Sequence, residues 1–369
     1  MFSLRRLFLN SSFYVPRLAV EKWEQAHRQH VIEYLRQIDA LYDAAIADMV
    51  RLGMAYPYDV GAATPISFNS GNILDEDIAK TITALHDKMY ATISAGVAAE
   101  WAFANAKTDS WVTQLFADPK RGYMLHNLEA LKAFQNRKTY GHTLSRRVWD
   151  YAKQFQQHIE LSISVGLSEG RSAQQISKDV RLWLNEPDKL FRRVRNRFGE
   201  LVLSKAARLY HPGQGVYRSS YQNAMRLART EINMSYRECD SVRWQQLDFI
   251  VGIEVKRSKT HAAWLAKDWI PRFRNRLVVP QEICDTMAGR YPKDFKFIGW
   301  HPNCRCYAVP ILANEDNDRD FWEIPQNVVT QLPKGCQEWM KANKDRIAEA
   351  QERGKLPYWL KENAKMLDK

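Results

Sequence analysis

Apolar residues in the first half of this chain recur at helical spacing over unusually long stretches. Val31, Leu35, Ile38, Tyr42, Ala45 and Met49 are separated by alternating steps of four and three, which places all six on one helical face. The spacing predicts one helix over 18–52, with Gly53 as its stop. Ile78, Ile82, Leu85, Met89 and Ile93 repeat the pattern and predict a second helix over 75–104. Residues 55–72, rich in Pro, Gly, Ser and Asn, read as the loop between them. A third helix is expected over 145–167, with Val148, Phe155 and Ile159 on one face and Gly166 and Gly170 at its end.

Ser172 and Gln175 stand three apart just before Ile176, Val180 and Leu184, the pattern of a capping box at a helix start. A basic run, Arg192, Arg193, Arg195 and Arg197, comes next, then a turn-forming stretch at 211–215 and a helix over 219–244. This middle region is expected to be helical as well. At Phe249 the texture changes: Phe249-Ile250-Val251-Gly252-Ile253-Glu254-Val255 is short and β-branched, and the residues after Val255 mix Pro, Gly, aromatics, His and Cys. The small mixed region closes near Leu312. An acidic stretch at 314–320 then leads to a Lys-, Glu- and Ala-rich tail, expected to be helical and partly exposed. The reading is α+β, predominantly α-helical. It has four segments: a helical N-terminal domain (1–165), a helical middle region (166–246), a small Cys/His-containing α+β domain (247–313), and a linker with a helical tail (314–369).

A length of 369 residues suits two or three domains, and 45% hydrophobic with 12% aromatic residues is ample for buried cores. Lys and Arg outnumber Asp and Glu by 54 to 42, so partners carrying negative charge are favoured: nucleic acid, anionic surfaces or acidic proteins. The apolar stretch after Arg6 breaks at Asn10, too early for a signal peptide, and no apolar run of membrane-spanning length occurs. A protein made and kept in a cytoplasm is expected. Five cysteines (Cys239, Cys284, Cys304, Cys306, Cys336) are an odd set in a long chain, which argues against a disulfide framework.

Three constellations could carry chemistry. The densest is Ile298-Gly299-Trp300-His301-Pro302-Asn303-Cys304-Arg305-Cys306, with Cys284 upstream. Cys284, His301, Cys304 and Cys306 offer one nitrogen and three sulfurs, a donor set that tetrahedral zinc accepts. There is no Cys-x-x-Cys knuckle, however, so the spacing favours a reduced Cys/His turn packed in a small core, with no metal or other cofactor. A cysteine nucleophile would pair Cys304 or Cys306 with His301 as base, but no third orienting group or oxyanion hole is identifiable. The second constellation is Arg226 to Asn233 on a helix, either a solvated basic face or a polar anchor buried against the Cys/His turn. Arg229 and Glu231 point to different faces, since partners on a helix lie three or four apart. The third is Lys256, Arg257, Lys259, Arg272, Arg274 and Arg276, interleaved with Trp264, Trp269 and Phe273. Such a mixture suits phosphates and unpaired bases, and equally a core with a charged rim. No Walker loop, dinucleotide fingerprint or His-Glu-x-x-His helix is present, which removes the common ATPase, dehydrogenase and zinc-peptidase readings.

The C-terminal half resembles the phage Mu F-like minor head proteins, the phage head-morphogenesis family. Three strings carry the resemblance in the family's order: Val165-Gly166-Leu167-Ser168-Glu169-Gly170-Arg171-Ser172-Ala173-Gln174-Gln175-Ile176, then Ala228-Arg229-Thr230-Glu231, then His301-Pro302-Asn303-Cys304-Arg305-Cys306. Together they span about 160–312. The resemblance implies a non-enzymatic component that enters the head in few copies, near the portal, after assembly in the host cytoplasm. Its implied partners are the portal protein, other head or scaffold proteins and phage double-stranded DNA, and its implied role is in packaging or ejection. Arg229, Thr230 and Glu231 are expected to hold the helix against the small domain, and His301 to Cys306 to shape its closing turn. Arg192 to Arg197 and Lys256 to Arg276 are candidates for meeting DNA or the portal. Some relatives have a Cys-x-x-Cys where this chain has Gln281-Glu282-Ile283-Cys284. Others carry toxin domains, including ADP-ribosyltransferases, after the shared region; the 57 residues beyond Leu312 are too few for one, which favours the structural version. A zinc-stabilised nucleic-acid-binding protein is the alternative.

Overall fold

The computed structural model describes residues 17–55, 68, 74–186, 193–195, 201–203, 219–258, 283–313 and 325–366. The expected loop at 55–72 lies largely outside these residues, and the turn at 211–215 and acidic stretch at 314–320 lie wholly outside them. So do the N-terminal ten residues, Arg192, Arg197, Lys259, Arg272, Arg274, Arg276 and the interleaved Trp264, Trp269 and Phe273.

The fold is α+β and predominantly helical, as the periodicity predicts. Helix α1 runs Arg17–Met54 and α2 Asp75–Leu115, and all eleven apolar positions that define their faces in the sequence are buried. α2 continues past the expected end at Ala104 because Trp111 and Val112 keep burying the same face. The pattern is hard to follow there because Lys107 and Thr108 are also fully buried, polar residues where the period calls for apolar ones. A 3-10 turn (Arg121–Met124) and the short α3 (Leu128–Asn136) precede α4 (Leu144–Ser168), whose N-cap Thr143 accepts the N–H of Arg146. α5 (Ala173–Asn185) begins with the expected capping box: the Ser172 side chain takes the Gln175 N–H and Gln175 returns to the Ser172 N–H.

The middle region is not helical throughout. Arg193–Arg195 (β1) and Leu201–Leu203 (β2) pair antiparallel, with Arg193 opposite Leu203 and Arg195 opposite Leu201. Alternation of Arg with Val and the Leu-Val-Leu run suit an extended pair better than a helix, a correction to the helical expectation. α6 (Ser220–Gln245) then leads into a three-stranded antiparallel sheet, order β4-β3-β5, made of β3 (Ile250–Lys256), β4 (Gly289–Pro292) and β5 (Tyr307–Leu312). Pro310 sits in β5, an edge strand, where its missing N–H costs no ladder bond. A four-residue helix, α7 (Ile283–Thr286), precedes β4. The tail folds as α8 (Lys334–Ala342), α9 (Lys344–Glu352) and α10 (Tyr358–Glu362). None of the described helices is long and apolar enough to cross a membrane.

Backbone contacts divide the chain into two compact units that do not follow chain order. One comprises Met1–His30, Val97–Phe134 and Thr230–Lys369; the other comprises Val31–Gly96 and Gln135–Arg229. In the second unit, a Cβ at Gly166 would lie 2.4 Å from Ile176, so only glycine lets α4 and α5 approach this closely. The first unit holds the sheet, and its core is strongly aromatic: Trp244, Tyr291, Phe295, Phe297, Trp300 and Trp359 are all buried. The tail belongs to this core rather than to solvent alone. Trp359 packs edge-on against Trp300 at 5.2 Å, and Asn363 exchanges hydrogen bonds with the backbone of Lys296 at 2.7 and 3.0 Å.

Candidate functional site

The Cys/His residues converge in the first unit. Cys284 comes from α7, just before β4, and Cys304 and Cys306 from the turn that feeds β5, so the sheet brings the two stretches together. The sulfurs of Cys284 and Cys304 and a ring nitrogen of His301 all lie within 4.8 Å of one another. Cys306 is buried two residues from Cys304, but its sulfur is not among the donor atoms that lie this close together. All five cysteines of the chain are reduced and buried.

The turn is held from beneath by a residue that no motif contains. Arg237 of α6, itself buried, donates from Nη2 to the carbonyls of Cys304 (2.7 Å) and Cys306 (2.8 Å) and from Nη1 to that of Ile298 (3.3 Å). One planar guanidinium thus satisfies three carbonyls that the turn would otherwise bury unpaired. Gly299 is required beside it: its φ is +104°, and a Cβ there would come within 2.5 Å of Arg237 Nη1. Asn303, also left-handed at φ 65°, donates its N–H to Thr230 Oγ1 at 3.3 Å, and Cys304 N–H closes the turn onto His301 O at 3.0 Å.

His301 has the thiol of Cys284 in hydrogen-bond reach, not the Cys304 or Cys306 that a nucleophile reading would pair with it. Its Nδ1–H donates to Pro302 O at 2.8 Å, which leaves the lone pair on Nε2, and Nε2 lies 3.0 Å from Cys284 Sγ. The three thiols share one proton network. Burial pushes Cys304 up, but hydrogen bonds from Cys284 and Cys306 and the charge of Arg237 outweigh it and hold Cys304 well below an ordinary thiol. Cys284 is shifted up, chiefly by its proximity to Cys304 and Cys306, and Cys306 is shifted up by Cys304 and burial although Cys284 opposes the shift.

The remaining expected residues fall around this centre. Thr230 reaches the turn; Glu231 is buried and Arg229 half-buried on the same helix. Arg305 points to solvent. Lys256 pairs with Glu254 at 3.2 Å, and the exposed Arg257 pairs with Asp285, so both spend charge within the protein. Arg193 and Arg195 lie in β1. Arg237 was legible only as a spacing: it follows Thr230 by seven residues, two helical turns along one face.

A second polar cluster in the same unit lies outside every motif of the sequence. Lys107, fully buried on α2, donates to Asp240 Oδ2 (2.6 Å) and Tyr236 OH (2.9 Å) of α6, and Tyr236 in turn donates to Glu24 of α1 at 2.9 Å. His27 stacks on Tyr236 at 4.0 Å; its Nδ1 meets Glu100 Oε2 at 2.6 Å and its Nε2 meets Asn233 Oδ1 at 2.7 Å. Burial lowers His27 to about 3 and raises Glu100 and Asp240 to about 7 each. A neutral His27 satisfies both contacts when Nε2–H donates to Asn233 and the protonated Glu100 carboxyl donates to Nδ1.

Compared with family models, curated proteins and solved structures, the chain matches none.

Proposed function

We propose that this chain is a minor head protein of a tailed phage or prophage, a non-enzymatic component that joins the head near the portal and assists DNA packaging or ejection. The observation that supports this reading best is the meeting of two strings on which the Mu F-like resemblance rests. Asn303 of His301-Pro302-Asn303-Cys304-Arg305-Cys306 bonds Thr230 of Ala228-Arg229-Thr230-Glu231, so strings about seventy residues apart serve one structural joint. The side chains in that joint are turned inward, onto carbonyls, thiols and one another, and a buried anchor suits an assembly component better than a catalyst.

The test is co-expression with the portal protein of the same phage gene cluster, followed by size-exclusion chromatography and cryo-electron microscopy. A co-eluting complex with density for this chain at the portal is expected. Two well-folded proteins that elute apart in every salt condition would overturn the reading.

A further inference from the structure

We propose that Cys284, His301, Cys304 and Cys306 bind one zinc ion in a closed, tetrahedral structural site. The reduced, metal-free turn favoured by the sequence spacing is thereby replaced. The inference rests on the geometry of the first unit and is independent of the phage reading.

Three observations converge on it. First, the donors are already gathered. Bonds of about 2.3 Å to sulfur and about 2.0 Å to nitrogen keep the ligand atoms of tetrahedral zinc about 3.5–3.8 Å apart. Here Cys284, His301 and Cys304 already lie with their donor atoms within 4.8 Å of one another, and Cys306, buried two residues from Cys304 on the same turn, is the fourth donor that would draw in on metal binding. Second, His301 is oriented as a ligand. The Nδ1–H bond to Pro302 O fixes the tautomer and turns the Nε2 lone pair into the cluster, the outer-shell arrangement that zinc-bound histidines ordinarily have.

Third, the charge balances. Zinc displaces the protons of three S–H groups, and Zn²⁺ with three thiolates and a neutral imidazole carries a net charge of minus one; nothing is oxidised or reduced. Arg237, buried and bonded to the carbonyls of Cys304 and Cys306, supplies the matching positive charge. Among the described residues no carboxylate lies within ion-pairing distance of Arg237. Its guanidinium is buried with three carbonyls and the Phe297 ring as its direct contacts. Three sulfurs and one nitrogen in tetrahedral array select zinc over harder divalent ions, and four protein ligands leave no open position for substrate. The ion would tie α7 to the turn entering β5, clamping both edge strands of the sheet at one end.

The full chain, purified without chelator, should carry one zinc per molecule by plasma mass spectrometry. The stripped chain given cobalt(II) alone should show the intense visible bands of a tetrahedral, sulfur-rich site, and zinc should bleach them. C304S and C306S should each weaken metal binding by at least about tenfold. C239S and C336S, which change buried thiols outside the cluster, should retain the metal, and H301C should retain it as a four-sulfur site. Should C304S and C306S fail to fold, a mercurial titration of the unmodified chain provides the readout: zinc should be released as three thiols react. A folded chain without zinc that gives no tetrahedral cobalt spectrum overturns the proposal. Metal retained in the C304S/C306S double variant, or a disulfide among Cys284, Cys304 and Cys306 in the intact mass, overturns it equally.

Discussion

The first unit holds two buried polar centres that solve one problem differently. At the Cys/His turn, the polar groups are backbone carbonyls and soft side chains, most of them within nine residues of sequence, served by a single arginine. At the helical centre, Glu24, His27, Glu100, Lys107, Tyr236 and Asp240 come from three helices spread over more than two hundred residues, and charges answer charges directly. The turn is a local device with one long-range support. The helical centre exists only through long-range support. The turn should therefore depend on one long-range side chain above all, Arg237, whereas the helical centre should respond to several.

The largest effect is expected at Lys107. K107M leaves Asp240 and Glu24 buried without their cation and should cost about 3–5 kcal/mol in denaturant unfolding. K107M/D240N should recover a substantial part of that loss. If the double variant is as unstable as the two single losses added together, the helical centre is not a coupled network.

R237M comes next. It strips three carbonyls of a charged donor and should cost at least about 3 kcal/mol, each such bond contributing about 1.5–3. R237K should not rescue it, because an ammonium cannot span carbonyls that the planar fork reaches together. Full rescue by lysine in a thermal melt would mean that charge alone, not geometry, supports the turn.

A change in slope rather than in height is expected from E100Q. Glu100 is raised from 4.5 to about 7, so its contribution to stability is complete below pH 4.5 and is lost as pH rises through about 7. His27, lowered from 6.5 to about 3, acts in the opposite sense: stability is lost as pH falls below 6.5. E100Q removes the first slope and leaves the second. Relative to the parent, its urea midpoint should therefore rise with pH between 4.5 and 7, and parallel midpoint curves would contradict the assigned burial of Glu100.

The smallest effect marks the edge of the turn. Arg257 and Asp285 pair with the arginine side chain 44% exposed, so R257A should change stability by no more than about 1 kcal/mol and should lose that effect at high salt. A larger loss would extend the supported region beyond Arg237 and Thr230.

The two centres also differ in how they could be read. His301, Cys304 and Cys306 stand out because chemically special residues are adjacent, and Thr230 because it lies in a recognisable string. Arg237 is one of many arginines until the fold places it under the turn. Lys107 and Asp240 resemble a solvated helix face, since residues 133 positions apart give no local sign that they will meet. The expectation of a helical middle region over 166–246 missed strands β1 and β2 for a related reason: short segments carry too few periods to separate a strand from a helix.

By itself the sequence determined the buried faces of the long helices, the capping box at Ser172, the change to strand near Ile250 and which Cys and His residues stand close together in the chain. Each depends on neighbours within a few turns of backbone. Tertiary structure alone decided that the tail packs into the aromatic core, that Lys107 is buried with a carboxylate, and that Arg237 supports the Cys/His turn. Burial and charge pairing are set by segments distant in the chain, and periodicity reports which face of an element is covered but not what covers it.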